Sequence, residues 1–522
     1  MTNAETKSTS SIILDRRQLI AGATALGLSA AFSSMPALAQ ETPQKGGTLR
    51  LGMEGGSASD NLDPRTYADT ILRVCSLMFW NQLVEIDAKG EATPELAESW
   101  EAKPGAAEWI FNIRKGITFT SGKTLDADDV IFSINLHRGE TNSPAKALLA
   151  QIIDITKLSA NQISVKLSGG NSDLPYVFTD YHLVIVPNGT KDFSKPDGTG
   201  AFALAEWQPG VRVVAKRKAG NYWKSGRGNF DTVELRYILD STARTQALMT
   251  GQVDAINKLD PKTATLVGKA PNIAVVRTKA AGNRYSFVAH RDKDPYTNND
   301  LMLGLKYGID RQKIIDTVYG GFASLGNDHL IGATQKYYDA TQPQRPFDPD
   351  KAAFHFKKAG VKAPLELLVS EGAYSGATDS GVLFQEALRK AGTTMEVKRV
   401  SGDGYWDNVW LKQPFCAVYW SPRPTVDMQL STTFLSDAAW NDTRWKRPAF
   451  DKLVVAARAE LDEGKRRKMY ADAQRMVSDD GGLLCYAVGD FLDAHSKKLR
   501  GLTPHPRFDL NDNRLPEKGW FA

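Results

Sequence analysis

An α/β fold is predicted by three observations on this 522-residue sequence. Short runs that alternate apolar and polar residues recur along the chain, interleaved with stretches of helical spacing. Apolar residues make up 42% and charged residues 24%, enough apolar material to fill more than one large core. No internal repeat or low-complexity tract follows Gln40, so the chain reads as two or three packed units joined by close crossovers.

The elements follow in order. Gly47 to Met53 alternates as a strand. Asp69 to Val84 carries Ile71, Val74, Cys75, Met78 and Phe79 at helical spacing. Trp109 to Ile113 is a strand, and Asp126 to His137 a helix with Asp126, Asp128 and Asp129 at its N-terminus, where the helix dipole favours acids. Gln162 to Leu167, Val211 to Lys216 and Thr232 to Leu239 are strands, the last followed by a helix from Ser241 to Thr250. Leu301 to Gly308, Arg311 to Tyr319 and Ser380 to Ala391 are helical. Phe415 to Trp420 is a buried strand, and Lys465 to Val477 a charged amphipathic helix.

Composition excludes several function classes. The net charge of +5 comes from 65 basic and 60 acidic residues that are interspersed, without the basic stripe of a nucleic-acid binder. Gly122-Lys123-Thr124 resembles the end of a phosphate-binding loop, but Ile117 stands where the upstream glycine is required, so the segment reads as a turn. No G-x-G-x-x-G, H-E-x-x-H or G-x-S-x-G pattern occurs, so no catalytic residue is assigned and no cofactor is expected. The seven histidines lack metal-ligand spacing, so no metal site is expected; His505, between Pro504 and Pro506, reads as part of a solvated loop. Cys75, Cys416 and Cys485 are far apart and fit buried or free thiols, with one disulfide still open.

Residues 1–39 read as an address. Arg16-Arg17 precedes Gln18-Leu19-Ile20, then a modestly apolar Ala/Gly-rich tract from Ala21 to Phe32, then Ala37-Leu38-Ala39. This is the order of a signal peptide, and the paired arginines fit twin-arginine export. Cleavage is expected after Ala39 and delivery to the periplasm, with Gln40 first in the mature chain. The tract is shorter than the ~20 apolar residues that span a bilayer.

Further motifs accumulate in the mature chain. Leu96-Ala97-Glu98-Ser99-Trp100-Glu101 is followed by Phe111-Asn112-Ile113-Arg114-Lys115-Gly116-Ile117-Thr118-Phe119, Ser121-Gly122-Lys123, Asp128-Asp129-Val130 and Ser133. Gly198-Thr199-Gly200-Ala201-Phe202, Asn221-Tyr222-Trp223, the run Ala247 to Ala255, Tyr307-Gly308-Ile309-Asp310-Arg311 and Lys358-Ala359-Gly360 come after. In this order they resemble the extracellular solute-binding proteins of family 5, which serve peptide, opine and nickel importers.

The resemblance implies a two-lobe periplasmic-binding-protein fold of type II, large-lobe subfamily, with a ligand cleft between the lobes. Residues 40–282, with an inserted subdomain, would form the large lobe, 283–486 the second lobe, and 487–522 a return to the first. The lobes would close on one solute. Expected partners are a small solute and an inner-membrane ABC permease, with no nucleic acid, for a monomeric chain that is not an enzyme. An enzyme on the same scaffold and a ligand-presenter for a chemoreceptor stay open as alternatives.

The resemblance also suggests cleft residues. Dipeptide-binding members place an aspartate after a strand ending in Gly-Trp, to meet the ligand's amine; the matching position here is Arg423, after Trp420. An earlier loop that supplies an arginine for the ligand's carboxylate matches Ser370 to Gly376, which holds Glu371 and no arginine. Arg423 has the planar, permanently charged fork suited to carboxylate or phosphate, unless it pairs with Asp427 or another acid. Trp420 offers stacking area and a donor, or else is core. Glu54, Gly55, Gly56 and Ser57 occupy the family's first cleft loop, where glycines let backbone approach a ligand closely, or else make a plain turn. The candidate ligand-binding set is therefore Glu54, Gly55, Gly56, Ser57, Glu371, Trp420 and Arg423, for a peptide-like or opine-like solute bearing an acid.

Overall fold

The structure is a computed structural model that describes residues 42–67, 69–360, 364–402 and 405–522. The signal-peptide reading lies outside the described residues.

A seven-stranded mixed sheet forms around Thr48–Met53, which pairs in parallel with Thr232–Tyr237 and Ala255–Ile256. Antiparallel neighbours extend it through Arg212–Arg217 to Phe202–Gln208 on one side, and through Phe491–Ser496 to Ile273–Thr278 on the other. Leu49, Leu51, Val213, Val233 and Leu235 are all buried in its core. The helix Thr70–Phe79 covers this core with Ile71, Val74, Cys75 and Met78, one stripe at helical spacing. Asp69 starts the helix by accepting a hydrogen bond from Leu72 N at 3.1 Å. The helix stops at Phe79, short of the expected Val84, because Gly200 N–H bonds Phe79 O at 2.9 Å and Trp80 turns extended. A Cβ on Gly200 would lie 2.3 Å from Met78 O, which accounts for the Gly-Thr-Gly motif there.

A four-stranded antiparallel sheet, in the order Ala97–Ala102, Glu108–Ile113, Gln162–Leu167, Ile152–Ser159, has its own core of Phe111, Ile113, Ile163 and Val165. Helix Ala127–Asn135 packs on it, and Asp126 with Asp129 forms a capping box at its start.

A six-stranded sheet runs in the order Ala323–Leu325, Leu483–Gly489, Arg284–Ala289, Phe415–Trp420, Leu365–Val369, Met395–Arg399. Helices including Asn299–Gly308, Ala377–Lys390, Pro448–Ala459 and Glu463–Asp480 surround it. Two chain crossings join this sheet to the first. Ile273–Thr278 pairs with Phe491–Ser496 in one sheet, and their continuations Arg284–Ala289 and Leu483–Gly489 pair in the other. Between them Asp490 accepts from Ala280 N at 2.9 Å and pairs with Arg277 at 2.5 Å.

Contacts also tie the helices of the six-stranded sheet to the segments beside the four-stranded sheet, away from the crossings. Ser172 N donates to Arg458 O and Ser172 Oγ to Glu460 O, each at 2.8 Å. Arg466 pairs with Asp173 at 2.7 Å, both side chains buried, and Lys336 pairs with Glu91 at 2.8 Å.

One expectation needs correction. His505 is buried, 1% exposed, with its Nε2 3.2 Å from Ile86 O, because the polar C-terminal segment folds inward. There Arg514, with no exposed surface, donates to Glu95, Gln82 and Glu517 at 2.9–3.1 Å. Burial opposes its charge, but Glu95, Glu85, Glu517 and Asp512 outweigh it and hold Arg514 well above the ordinary arginine value. The three cysteines are buried free thiols, as their wide spacing suggested, and no disulfide joins them.

Candidate functional site

The strand Phe415–Trp420 pairs with Arg284–Ala289 and carries Trp420 at its end. The Trp420 indole N–H donates to Asp442 Oδ2 at 3.1 Å, as does that of Trp410. Trp410, Trp420 and Trp440 have ring centroids 6.0–6.3 Å apart, an aromatic block in which Trp440 stays 46% exposed. Trp420 is thus buried in the wall of the block rather than displayed on it.

The next loop places Arg423. Its N–H donates to Gln429 Oε1 at 3.1 Å and its carbonyl accepts from Gln335 Nε2 at 3.0 Å, so the backbone is fixed at both ends. The guanidinium lies 5.7 Å from the Trp440 ring centre. Its Nε is buried without an acceptor, and no carboxylate among the described residues lies within ion-pair distance. Asp427, the internal acid that could have neutralised it, is bound instead by Arg458 at 2.9 and 3.1 Å. Burial pulls the Arg423 guanidinium below its ordinary value; the charges that oppose this come from Asp180 and Tyr181. Both belong to the segment that follows the four-stranded sheet, so the charge of Arg423, on the six-stranded sheet, is felt by that segment. Asp180 supplies a nearby negative charge without an ion pair to Arg423. Its Oδ1 is held by His182 Nδ1 at 2.6 Å and His182 N at 3.1 Å.

The loop Glu54–Ser57 leaves the end of strand Thr48–Met53. Glu54 N donates to Asn257 Oδ1 at 2.8 Å, and its carboxylate pairs with Lys258. Gly55 and Gly56 have φ of +107° and +87°, and a Cβ on Gly56 would lie 2.1 Å from the Tyr237 ring. Only glycine fits that approach. Ser57 is tied to Asp60 through its N–H at 3.0 Å and its hydroxyl at 3.1 Å. Glu371 caps a helix: its oxygens accept from Gly376 N at 2.8 Å and Thr378 N at 3.1 Å, at the start of Ala377–Lys390. Among the described residues, no hydrogen bond or ion pair joins Glu371 or the Glu54–Ser57 loop to Arg423.

Sequence reasoning missed Arg73, on the helix Thr70–Phe79. Its guanidinium carbon sits 4.9 Å from the Tyr181 ring centre and 4.8 Å from that of Phe508. Its Nε is also buried without an acceptor. In the sequence Arg73 is one polar position in an apolar helical stretch, with nothing to mark it.

Among the described residues, no group of three or more His, Cys, Asp or Glu side chains could hold a metal ion, and no helix is long and apolar enough to cross a membrane.

Two sheets joined by a double crossing, with an unpaired arginine just past the end of strand Phe415–Trp420, define a two-lobe binding protein of type II periplasmic architecture. The chain belongs to the bacterial extracellular solute-binding proteins of family 5, whose middle region matches residues 91–442. It is 24% identical over 515 residues to the glutathione-binding protein GsiB of Salmonella paratyphi A, covering 94% of this chain and 98% of that one. It is 26% identical over 487 residues to di/tripeptide-binding protein 1 of Pseudomonas aeruginosa, covering 85% and 89%. Among solved structures, the PBP AgaA in complex with agropinic acid from A. tumefaciens R10 superposes with a TM-score of 0.73 at 23% identity, covering 91% of this chain and 99% of that one. The class serves ABC importers as their solute-binding component.

Proposed function

We propose that this protein captures an acid-bearing, peptide-like or opine-like solute by closing two lobes on it in the periplasm, and presents it to an inner-membrane ABC permease. The observation that carries this reading is Arg423: its backbone is fixed at both ends, its Nε is buried without an acceptor, and no carboxylate among the described residues pairs with it. An unpaired buried cation is costly, and a ligand anion arriving on closure relieves that cost. The relatives' ligands, glutathione and di- or tripeptides, and agropinic acid in the structural neighbour support the same solute class. In this reading the lobes meet at the two crossings near Ala280–Asn283 and Gly489–Asp490, and Trp440 lines the cleft beside Arg423. Glu54, Gly55, Gly56, Ser57 and Trp420 shape its walls, while Glu371 acts by capping.

The chain binds without converting. The His182 ring is spent on Asp180 and on Tyr67 O at 2.8 Å, and the His137–Ser143 pair at 2.6 Å is buried, so neither offers an exposed base beside a nucleophile. The protein works as a monomer, with a twin-arginine signal removed after Ala39. Calorimetry with peptides and opines, on wild type and Arg423→Ala, tests the reading: the substitution weakens binding by about 2–5 kcal/mol with little change in melting of the free protein. Unchanged affinity with lowered melting would reject it. Periplasmic delivery of an Arg16→Lys, Arg17→Lys precursor would reject the export route.

A further inference from the structure

Three motifs noted in the sequence hold no residue of the candidate ligand set, yet they meet around one cavity. Gly116 to Phe119, Thr199 to Ala201 and Asn221 to Trp223 line a recess of about 640 Å³ beside the edge of the seven-stranded sheet. Hydrogen bonds fix its walls. Gly198 O accepts from Thr120 N at 3.0 Å and from Lys218 Nζ at 2.6 Å, and Lys218 N donates to Ala201 O at 3.1 Å. Gly46 N donates to Asn229 O at 2.8 Å, which carries Lys45 to the wall that Gly228 forms. The Trp223 indole N–H is spent on Thr199 O at 3.2 Å and the Tyr222 hydroxyl accepts from Asn81 Nδ2 at 2.8 Å, so what these two residues offer the cavity is ring surface.

The charges on the wall are of one sign. Lys45, Lys216, Arg217, Lys218 and Arg227 line the cavity, and among the described residues no Asp or Glu does. The two arginines are paired with acids outside the lining: Arg217 with Asp231 at 2.6 Å, Arg227 with Glu85 at 3.0 Å and Glu517 at 3.1 Å. The three lysines form no ion pair among the described residues. Lys218 is half-buried, and only one of the three donors of its ammonium is spent, on Gly198 O. Burial pulls that ammonium down to about 8, opposed by Asp197. Asp197 makes no ion pair with Lys218; its Oδ1 accepts from Ser121 N at 2.9 Å. Cations gathered on a concave wall focus a positive potential that draws an anion in.

We propose that this cavity is a second binding site, separate from the capture cleft, for a phosphate group carried by a small molecule or a lipid headgroup. An ammonium is a point charge that imposes no planar geometry, so lysines on different parts of one wall suit tetrahedral phosphate oxygens, whereas a flat carboxylate is matched by a guanidinium fork. The volume falls in the range of small-ligand sites, roughly 300–1,000 Å³, and the rings of Tyr222 and Trp223 give the apolar part of such a ligand a surface. All lining residues lie between Lys45 and Gly228, and none comes from the six-stranded sheet, so the site does not depend on lobe closure.

The test titrates glycerol phosphate, with succinate as the carboxylate control, into wild type, Lys218→Gln, Lys218→Arg and the double variant Lys45→Gln, Lys216→Gln, at matched ionic strength, by calorimetry. Flotation with phosphatidylglycerol and phosphatidylcholine vesicles runs in parallel. Wild type should bind glycerol phosphate with a Kd of about 1 mM or tighter, and about tenfold more tightly than succinate. Lys218→Gln should weaken binding about tenfold, the loss of one charge-assisted contact, and Lys218→Arg should keep most of it. The double variant, whose two lysines are exposed, should weaken it too, with melting and peptide binding unchanged. If Lys218→Gln fails to fold, the double variant carries the test. Flotation with phosphatidylglycerol alone, lost in the same variants, identifies a lipid headgroup as the source; glycerol phosphate binding without flotation identifies a soluble ester. Absence of both, with glycerol phosphate raised to about 10 mM, overturns the proposal. So does equal affinity for succinate, and so does binding that the lysine variants leave unchanged and Arg423→Gln abolishes, which would place the anion in the cleft.

Discussion

Replacing Asp442 with asparagine should change how stability depends on pH. Asp442 is 1% exposed beneath the aromatic block; one oxygen accepts two indole N–H groups and the other, Oδ1, has no partner. Burial, only partly offset by the Trp410 and Trp420 donors, pushes its carboxyl up to about 7. An unfolded aspartate titrates near ~3.9. Because the folded value is the higher one, the folded state binds the proton more tightly. The stability this confers is fully present below about pH 4 and is lost as pH rises through 7. Between pH 7 and pH 5 wild type should therefore gain about 2 kcal/mol relative to Asp442→Asn, at about 1 kcal/mol per pH unit. Above pH 8 the difference should be flat. Urea denaturation of both proteins at pH 5, 6, 7 and 8, followed by circular dichroism, reads the difference directly. Other raised groups, such as buried Asp493, cancel in the subtraction. A difference that stays constant from pH 8 to pH 5 would refute the assignment of a proton to buried Asp442.

Three further outcomes follow from the packing. Gly56→Ala places a Cβ against the Tyr237 ring at positive φ and should cost about 1–3 kcal/mol, read as a lowered melting temperature. Arg466→Met strands buried Asp173 and should cost about 3–5 kcal/mol; because the pair is buried, the loss should change little with added salt in denaturant titrations. Gly170→Ala sets a Cβ 2.2 Å from Gly105 O and 2.8 Å from Ala459 Cβ, so the contact between Ser172 and Arg458 should open and the radius of gyration rise in scattering.

What the sequence disclosed, and what it hid, divides along the range of the interactions. The helix Thr70–Phe79 and the strands Gln162–Leu167 and Phe415–Trp420 were readable because each buries one local stripe or run, and hydrophobic periodicity is a local signal. The segment His505 to Glu517 was not readable, since its charges mark it as surface. It is buried only because Glu85, Glu95 and Lys224 lie some hundreds of residues away in the chain and neutralise it. The site divides in the same way. Arg423 could be picked out because a strand end placed it where a family member holds an acid, and local context carried that. Arg73 could not, because its meaning depends on what fails to reach it. A lone arginine in an amphipathic helix is ordinary until Tyr181 and Phe508 flank it and no carboxylate among the described residues forms an ion pair with it. A missing partner is a property of the whole packed molecule. A binding cleft consists of such missing partners, so the residues that define its ligand are the ones a linear reading is least able to find.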